Sequence, residues 1–437
     1  RDADSDHRTA AFRVRWKVVV AHVGCCYYGN GQAAPFQAIG TACSFRGCDT
    51  AMSNTTRTLR VAFVAGTLGQ GGAEKQLVYM ARALKDMGAQ VSIFALTRGE
   101  YYERELCCLG IKPMWIGRYA SPILRVASLL RQAYLFRPHI LQSGHFFTNL
   151  YVAVAGRLFG CLDIGTLRND VLHEMCSNRF FGSALLRWPR ALIVNSYCAK
   201  DNAVAMHVSE RRLHVLPNVV DLASFDSESA LDCPGTASGS IRVALVARLV
   251  EAKRIDRFLR SIAIAREAAP EVQGIIIGDG PELVPLQNLA GKLGLVPGGV
   301  QFCGRRNDVP MLLRSMDMLV ISSDHEGFPN VVLEAMAARL PVIATPAGDC
   351  ARVVVNGVTG YVVPFDERSI ADRVVELARS PSLRCAMGLE GRRRVELCYS
   401  YESLGVRLLR IYKRIAEGLG AQSVINVLSA LDVGGRS

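Results

Sequence analysis

Two glutamates eight residues apart, Glu326 and Glu334, frame the densest run of chemically capable residues in the chain, Ser322 to Met336 (SSDHEGFPNVVLEAM). The run reads as a strand ending near Ser322, a loop, and a helix running through Glu334 towards Ala338. Gly327 permits close backbone approach, and Pro329 suits the first turn of a helix. Free N–H groups at such a helix start make a ready site for a diphosphate. A carboxylate about two turns further on can accept hydrogen bonds from paired hydroxyls, as a ribose offers. Taken alone, the pair reads more readily as two solvated glutamates flanking an N-cap, because two glutamates at a fixed spacing are common. Arg248 and Lys253 follow an earlier strand and are expected in the same cleft. Arginine offers phosphate oxygens a planar fork and lysine a mobile point charge; the plain alternative is two solvated loop cations. Gly69-Gln70-Gly71-Gly72-Ala73-Glu74 stands between the first strand and its helix. Glycines there let backbone amides approach an anion, although the strict G-x-G-x-x-G fingerprint is missing and a tight turn would look the same.

The elements that must hold these residues alternate regularly. Leu59–Ala65 (LRVAFVA) is a continuous apolar run, followed by a helical stretch from Ala73 to Met87 with Leu77, Met80, Ala81 and Leu84 at helical spacing. Further strands are expected at Val91–Leu96, Ile111–Ile116, His139–Gln142, Ile164–Leu167, Ala191–Asn195 and Leu213–Leu216. Asp226 to Ser240 is rich in Ser, Gly and Pro and reads as a linker. Beyond it Ile241–Ala247 (IRVALVA) echoes the first strand, and strands follow at Gly274–Ile277, Val300–Phe302, Met318–Ser322, Pro341–Ala344 and Gly360–Val363. Short apolar strands alternating with helices argue parallel sheets covered on both faces. The fold class expected is α/β, with two Rossmann-like domains, 58–225 and 241–395, joined at 226–240. Ligands of such sheets bind at the carboxyl ends of the strands, which here means the cleft between the domains. Residues 396–417 are assigned to a C-terminal helix and 418–437 to a tail.

Composition narrows the partners. Of 437 residues half are hydrophobic and 21% charged, as in a globular protein. The net charge of +12 fits an anionic substrate or an anionic membrane surface. There is no zinc-knuckle spacing and no basic-aromatic platform, so no nucleic-acid partner is expected. No stretch reaches eighteen consecutive apolar residues. The fourteen cysteines include no C-x-x-C pair, a pattern that suits a reducing cytosol. Residues 1–57 lack the periodicity of the rest and read as an aberrant or disordered extension, with Met52 as a plausible start.

The motifs occur in a recognisable order. Gly71-Gly72-Ala73-Glu74, Leu216-Pro217-Asn218-Val219-Val220-Asp221, Arg248 with Lys253, Gly278-Asp279-Gly280-Pro281, Glu326 with Glu334, and Asn356-Gly357-Val358-Thr359-Gly360-Tyr361 together resemble glycosyltransferase family four, retaining enzymes of the GT-B fold. The resemblance covers roughly Leu59 to Ala416 and is most specific in the C-terminal half. It implies that Arg248 and Lys253 bind the donor diphosphate and that Glu326 contacts hydroxyls of the donor sugar. It also implies that the amides of Gly327, Phe328, Pro329 and Asn330 line the sugar pocket and that Glu334 holds the ribose. Gly71 and Gly72 would approach the phosphates from the opposite domain. Gly278 is expected at the donor, and the segment Phe302 to Arg305 near the base. Tyr399–Ile415 resembles the family's final helix, which crosses back to the first domain. Three positions depart: Ala247 where many members have Gly, Gly348-Asp349 and Arg352 in place of a Gly-Gly pair and a Glu, and Arg168 where a histidine commonly stands near the acceptor. His145 is the nearest alternative histidine and is assigned a catalytic role on that ground.

The reaction implied is transfer from a nucleoside diphosphate sugar to a hydroxyl of a glycan or a lipid-linked acceptor, with retained configuration, in cell-surface polysaccharide or glycolipid synthesis. No metal or other cofactor is expected: no D-x-D sits suitably at a strand end, and Asp2-Ala3-Asp4, which matches the letters, lies in the aberrant leader. Ser121 to Pro138 mixes Ile123, Leu124, Leu130 and Leu135 with Arg125, Arg131 and Arg137, which suits either an interfacial helix or a basic helix packed on the sheet. The expected location is the cytoplasm, with the inner face of a membrane as the surface it would visit. Three rivals share the sequence features: a sugar-nucleotide epimerase, a phosphorylase, and a non-catalytic scaffold that binds sugar nucleotides.

Overall fold

The computed structural model describes residues 58–168, 182–226 and 239–434. The extension at 1–57 and residues 227–238 of the expected linker lie outside the described residues.

Among the described residues thirteen strands form two wholly parallel sheets. The first comprises β1 (Arg60–Ala65), β2 (Gln90–Ala95), β3 (Met114–Trp115), β4 (Ile140–Ser143), β5 (Leu162–Leu167), β6 (Ala191–Val194) and β7 (Leu213–Val215), in the order β3-β2-β1-β4-β5-β6-β7. The second comprises β8 (Ile241–Val246), β9 (Val272–Ile277), β10 (Val300–Phe302), β11 (Met318–Ile321), β12 (Val342–Ala344) and β13 (Gly360–Val362), in the order β10-β9-β8-β11-β12-β13. Central strands are buried over most of their length, which is why they read as apolar runs. In each sheet the order reverses once, between β1 and β4 and between β8 and β11. A crevice opens at such a switch point because the flanking connections leave to opposite faces.

Every expected strand is present, with one substantial change. Ile111–Ile116 contracts to the two residues of β3. Pro113 cannot donate to a ladder, so pairing begins only after it, on the edge of the sheet.

The helices that matter for the site are α1 (Gly72–Asp86), α2 (Pro122–Phe136), α3 (Tyr197–Ala205), α4 (Ile255–Ala268), α5 (Asn330–Ala337), α6 (Pro381–Cys398), α7 (Leu404–Gly418) and α8 (Gln422–Gly434). The chain returns to its first sheet through α7, which buries Leu404, Leu408, Tyr412 and Ile415 against residues of α1, β1 and β4. The Tyr412 hydroxyl donates to Gln142 Oε1 at 2.5 Å in that interior. Two C-terminal expectations change. The helix expected over 399–415 runs over 404–418, because Tyr399 O and Tyr401 N bond to Val220 and hold the segment between α6 and α7 extended. The segment 418–437, assigned to a tail, contains α8, whose Val424, Val427 and Leu428 are buried beside α7. The helix preceding the break, α6, also runs past the boundary expected at residue 395, to Cys398.

Candidate active site

The switch points carry the site. From β8 the chain passes Arg248 into a short 3-10 turn, Glu251–Lys253, that leads into α4. From β11 it passes Ser322 to Phe328 into α5. These two loops are stitched together by hydrogen bonds. Asp324 N–H donates to Ala252 O at 3.0 Å, and Ser322 Oγ donates to Lys253 O at 3.1 Å. Arg257, buried on α4, donates to Ser322 O at 2.6 Å and to Asp324 at 2.8 Å. Held in this way, Lys253 Nζ stands 2.6 Å from Glu326 Oε1, which also accepts from Ser323 Oγ at 2.7 Å. Arg248 is exposed at the same edge and makes no side-chain hydrogen bond among the described residues.

The remaining donor-side residues fall around this pair. Pro329 caps α5 in an extended conformation and Asn330 is the first helical residue, so the helix opens directly after the Glu326 loop. Gly327 O accepts from Asp349 N–H at 3.4 Å. Phe328 turns its ring into the core against Tyr399, which leaves its backbone as the part able to meet a ligand. Gly278 sits at φ 147°, where a Cβ would overlap the Ala247 carbonyl oxygen; only glycine lets β8 and β9 end this close together. Arg305 is exposed in the loop after β10.

Residues of the first domain close over this surface. Gly72 begins α1 with its Cα against Asn330, and a Cβ there would overlap Asn330 Nδ2. Gly71 lies against the Glu74 carboxylate. Gln70 donates to Asn307 Oδ1 at 2.8 Å, and Asn218 donates to Asn330 Oδ1 at 2.7 Å. Lys75 Nζ forms a 2.7 Å ion pair with Glu334 Oε1. Burial works against the charge on Lys75, but the Glu334 carboxylate outweighs it and the ammonium is held well above its ordinary range. Asp349 accepts from the N–H groups of Tyr197 and Cys198 at 2.8 and 2.9 Å, at the start of α3.

His145 follows β4 and faces a carboxylate. Its Nδ1 accepts from Gly66 N–H at 3.0 Å and its Nε2 lies 3.2 Å from Glu74 Oε1. The first contact fixes the tautomer: the ring proton is on Nε2 and points at Glu74. Glu74 also accepts from Thr67 Oγ1 at 2.5 Å. Burial would raise the Glu74 carboxyl, but the hydrogen bonds from His145 and Thr67 outweigh it, and the group is held below the ordinary carboxylate range. His145 with both nitrogens engaged is arranged to hold Glu74 and the Gly66 turn, not to abstract a proton.

Of the sequence-derived residues, Arg248, Lys253, Gly278, Glu326, Gly327, Pro329, Asn330, Glu334, Gly71 and Gly72 cluster around the two switch points, and His145 borders this cluster through Glu74, whose carboxylate lies against Gly71. Sequence reasoning missed Lys75, Asn218 as a partner of Asn330, Ser323 and Asp349. Lys75 and Asn218 lie in or beside quoted motifs, but nothing local marks which residue of the other domain each one meets. Among the described residues no group of three or more His, Cys, Asp or Glu side chains could hold a metal ion. Among them too, no helix is long and apolar enough to cross a membrane.

Comparison with known proteins agrees in both halves. Residues 70–224 match the profile described as Glycosyltransferase Family 4, and residues 240–380 the one described as Glycosyl transferases group 1. The chain is 32% identical over 139 residues to N-acetyl-alpha-D-glucosaminyl L-malate synthase of Bacillus anthracis, a match covering 32% of this chain and 36% of that protein. It is 30% identical over 172 residues to the capsular polysaccharide biosynthesis glycosyltransferase CapM of Staphylococcus aureus, covering 40% of this chain and 45% of the relative. The matches therefore span less than half the length of either relative. In three dimensions it resembles Anabaena HepE, solved in complex with UDP-glucose, with a TM-score of 0.71 at 20% identity, over 83% of this chain and all of the other. At that identity the likeness concerns the fold, which is GT-B.

Proposed function

Because the chain belongs to the group 1, family-four glycosyltransferases, we propose that it transfers a sugar from a nucleoside diphosphate sugar to a hydroxyl acceptor with retention of configuration. One observation carries this reading: the Lys253–Glu326 pair, Arg248 and the opening of α5 converge at one switch point, and the Gly71-Gly72 loop meets them from the other domain. As the bond from the anomeric carbon to the diphosphate breaks, its electron pair stays on the phosphate oxygen. Arg248, Lys253 and the α5 amides are fixed donors for that growing charge, and preorganised donors of this kind supply the largest share of many rate enhancements. The acceptor oxygen bonds the anomeric carbon on the face the diphosphate leaves, and its proton passes to the departing phosphate oxygen. Glu326 is a poor candidate for a covalent nucleophile, since its Oε1 already holds an ammonium and a hydroxyl. The charge is met without a metal.

HepE holds UDP-glucose, which makes uridine diphosphate hexoses the donors to try first. CapM is named for capsular polysaccharide synthesis, which supports a growing glycan or its lipid-linked precursor as acceptor. The surface of α2 favours a membrane-borne acceptor: Ile123 is 78% and Leu135 63% exposed, while Leu129 on the same helix anchors it in the core. Leu158 and Phe159, also exposed, extend the apolar patch on the following helix.

The test is incubation of the full chain with labelled UDP-glucose, UDP-galactose, UDP-N-acetylglucosamine and GDP-mannose in excess EDTA, with proton NMR of any product. One donor should be consumed and the α-anomer kept. No consumption and no nucleotide binding would remove the glycosyltransferase reading, an inverted anomer the retaining one, and restoration by manganese the metal-free one.

A further inference from the structure

Arg168 closes β5 at its carboxyl end and turns inward, with 9% of its surface exposed. Among the described residues its Nη2 approaches only the Met80 sulfur, at 3.9 Å, and its Nε has no hydrogen-bond partner. It forms no ion pair among the described residues. Burial pushes the guanidinium down to about 10, against the opposing field of Glu74, so it is still charged at neutral pH. Buried arginines are almost always paired, because an uncompensated charge in the interior is costly. Glu74, the carboxylate whose field reaches it, is already engaged by His145 and Thr67.

A second buried group beside it is also incomplete. Asn195 follows β6, and its Nδ2 donates to the Arg168 carbonyl at 3.0 Å. That contact fixes the amide orientation and leaves Oδ1, buried, without a partner. Both side chains line one small cavity with Gln76, Thr166 and Asn218. Asn218 is the residue that bonds Asn330 at the start of α5, so one side chain separates the cavity from the donor helix. A water would satisfy the hydrogen bonds but leave the charge uncompensated. The cavity is too small for a sugar ring.

We propose that Arg168 and Asn195 form the anion-recognition subsite of the acceptor, which is a hydroxyl compound carrying an oxyanion, carboxylate or phosphate. The oxyanion accepts a hydrogen bond from Arg168 Nε–H, and a neighbouring hydroxyl donates to Asn195 Oδ1. This rests on the glycosyltransferase reading for the identity of the ligand as acceptor. It gives Arg168 a role of its own, where the family commonly has histidine, and it restricts the acceptor to anionic compounds.

The experiment uses the full chain with its donor site filled by UDP, so that phosphate probes cannot bind there. Melting temperature and calorimetry are followed with D-glycerate, sn-glycerol 1-phosphate and neutral glycerol. At least one anionic probe should bind saturably and raise the melting temperature, and the difference between the two anions tells carboxylate from phosphate; glycerol should do neither. Arg168→Met should weaken the anion by roughly tenfold or more, leave UDP binding unchanged, and melt no lower than wild type without probe, since an unpaired buried charge has been removed. Arg168→Gln is read the same way if the methionine variant does not accumulate. Anion binding by neither probe while UDP binds, or equal binding by the variants, overturns the subsite. Variants that both melt well below wild type assign Arg168 to the framework and overturn it too. A wild-type chain that binds neither UDP nor anion sinks the glycosyltransferase reading with it.

Discussion

Glu326 and Glu334 have different neighbours, and this separates their expected roles. Glu326 lies before α5, with Oε1 held by Lys253 and Ser323. Glu334 lies in α5 and pairs with Lys75 across the cleft. Contacts to the reacting sugar strengthen as the oxocarbenium geometry forms and appear in turnover, whereas contacts to the ribose are shared by ground and transition states. Glu326→Gln should therefore lower kcat more than it raises KM for donor, and Glu334→Gln should do the reverse, by roughly tenfold. Steady-state kinetics with the true donor decides, and two indistinguishable variants would dissolve the distinction. Glu74 allows a pH test. Its folded carboxyl is lowered below 4.5, so its contribution to stability is complete above the unfolded value and is lost as pH falls through the folded one. Melting temperature against pH should fall on the acid side in wild type and fall less in Glu74→Gln; parallel curves would show that the carboxylate is not linked to folding.

At the scale of elements, α2 carries the clearest surface signal. Ile123, Leu124, Tyr134 and Leu135 are all exposed, while Leu129 and Ala133 bind the helix to the sheet. Exposed side chains contribute little to folding, so Ile123→Ser with Leu135→Ser should leave the melting temperature within a degree or two. If the patch meets a membrane, the same pair should sharply reduce sedimentation with phosphatidylglycerol vesicles, since about 1.5–3 kcal/mol follows burial of each aliphatic side chain. Unchanged sedimentation would leave α2 as a basic-faced packing helix. The two C-terminal helices show a different lesson. An amphipathic pattern is visible in α7, but its start depends on Val220, a residue from the other end of the first domain.

For the molecule as a whole, the cleft is bridged by Lys75–Glu334, Asn218–Asn330, Gln70–Asn307 and the Asp349 carboxylate on the start of α3. A charged hydrogen bond contributes about 1.5–3 kcal/mol, so removing two of these bridges should shift a domain equilibrium visibly. Asp349→Ala with Lys75→Ala is expected to increase the radius of gyration in small-angle scattering and to raise KM for donor, with near-unchanged secondary structure. An unaltered scattering profile would mean that the crossing of α7 onto the first sheet alone sets the arrangement.

Strand identity, the repeat of two α/β domains and the α5 motif were all legible in the chain itself. They rest on local facts: apolar runs long enough for buried strands, a proline and a glycine at a helix start, and carboxylates and cations at fixed offsets. Glu326 and Lys253 could be named for the same reason, since each sits just beyond the end of a strand. Which residues meet across the cleft was not legible. Lys75 reaches Glu334 over 259 positions and Asn218 reaches Asn330 over 112. The contraction of β3, the late start of α7 and the packing of α8 were likewise decided by neighbours remote in sequence. So was the state of Arg168: its residue type announced a charge, but only the packing of α1, β5 and β6 around it left that charge buried and, among the described residues, without an ion-pair partner. Local chemistry is written in residue type and spacing, whereas burial and partnership belong to pairs of distant segments and exist only once the two sheets have been brought face to face.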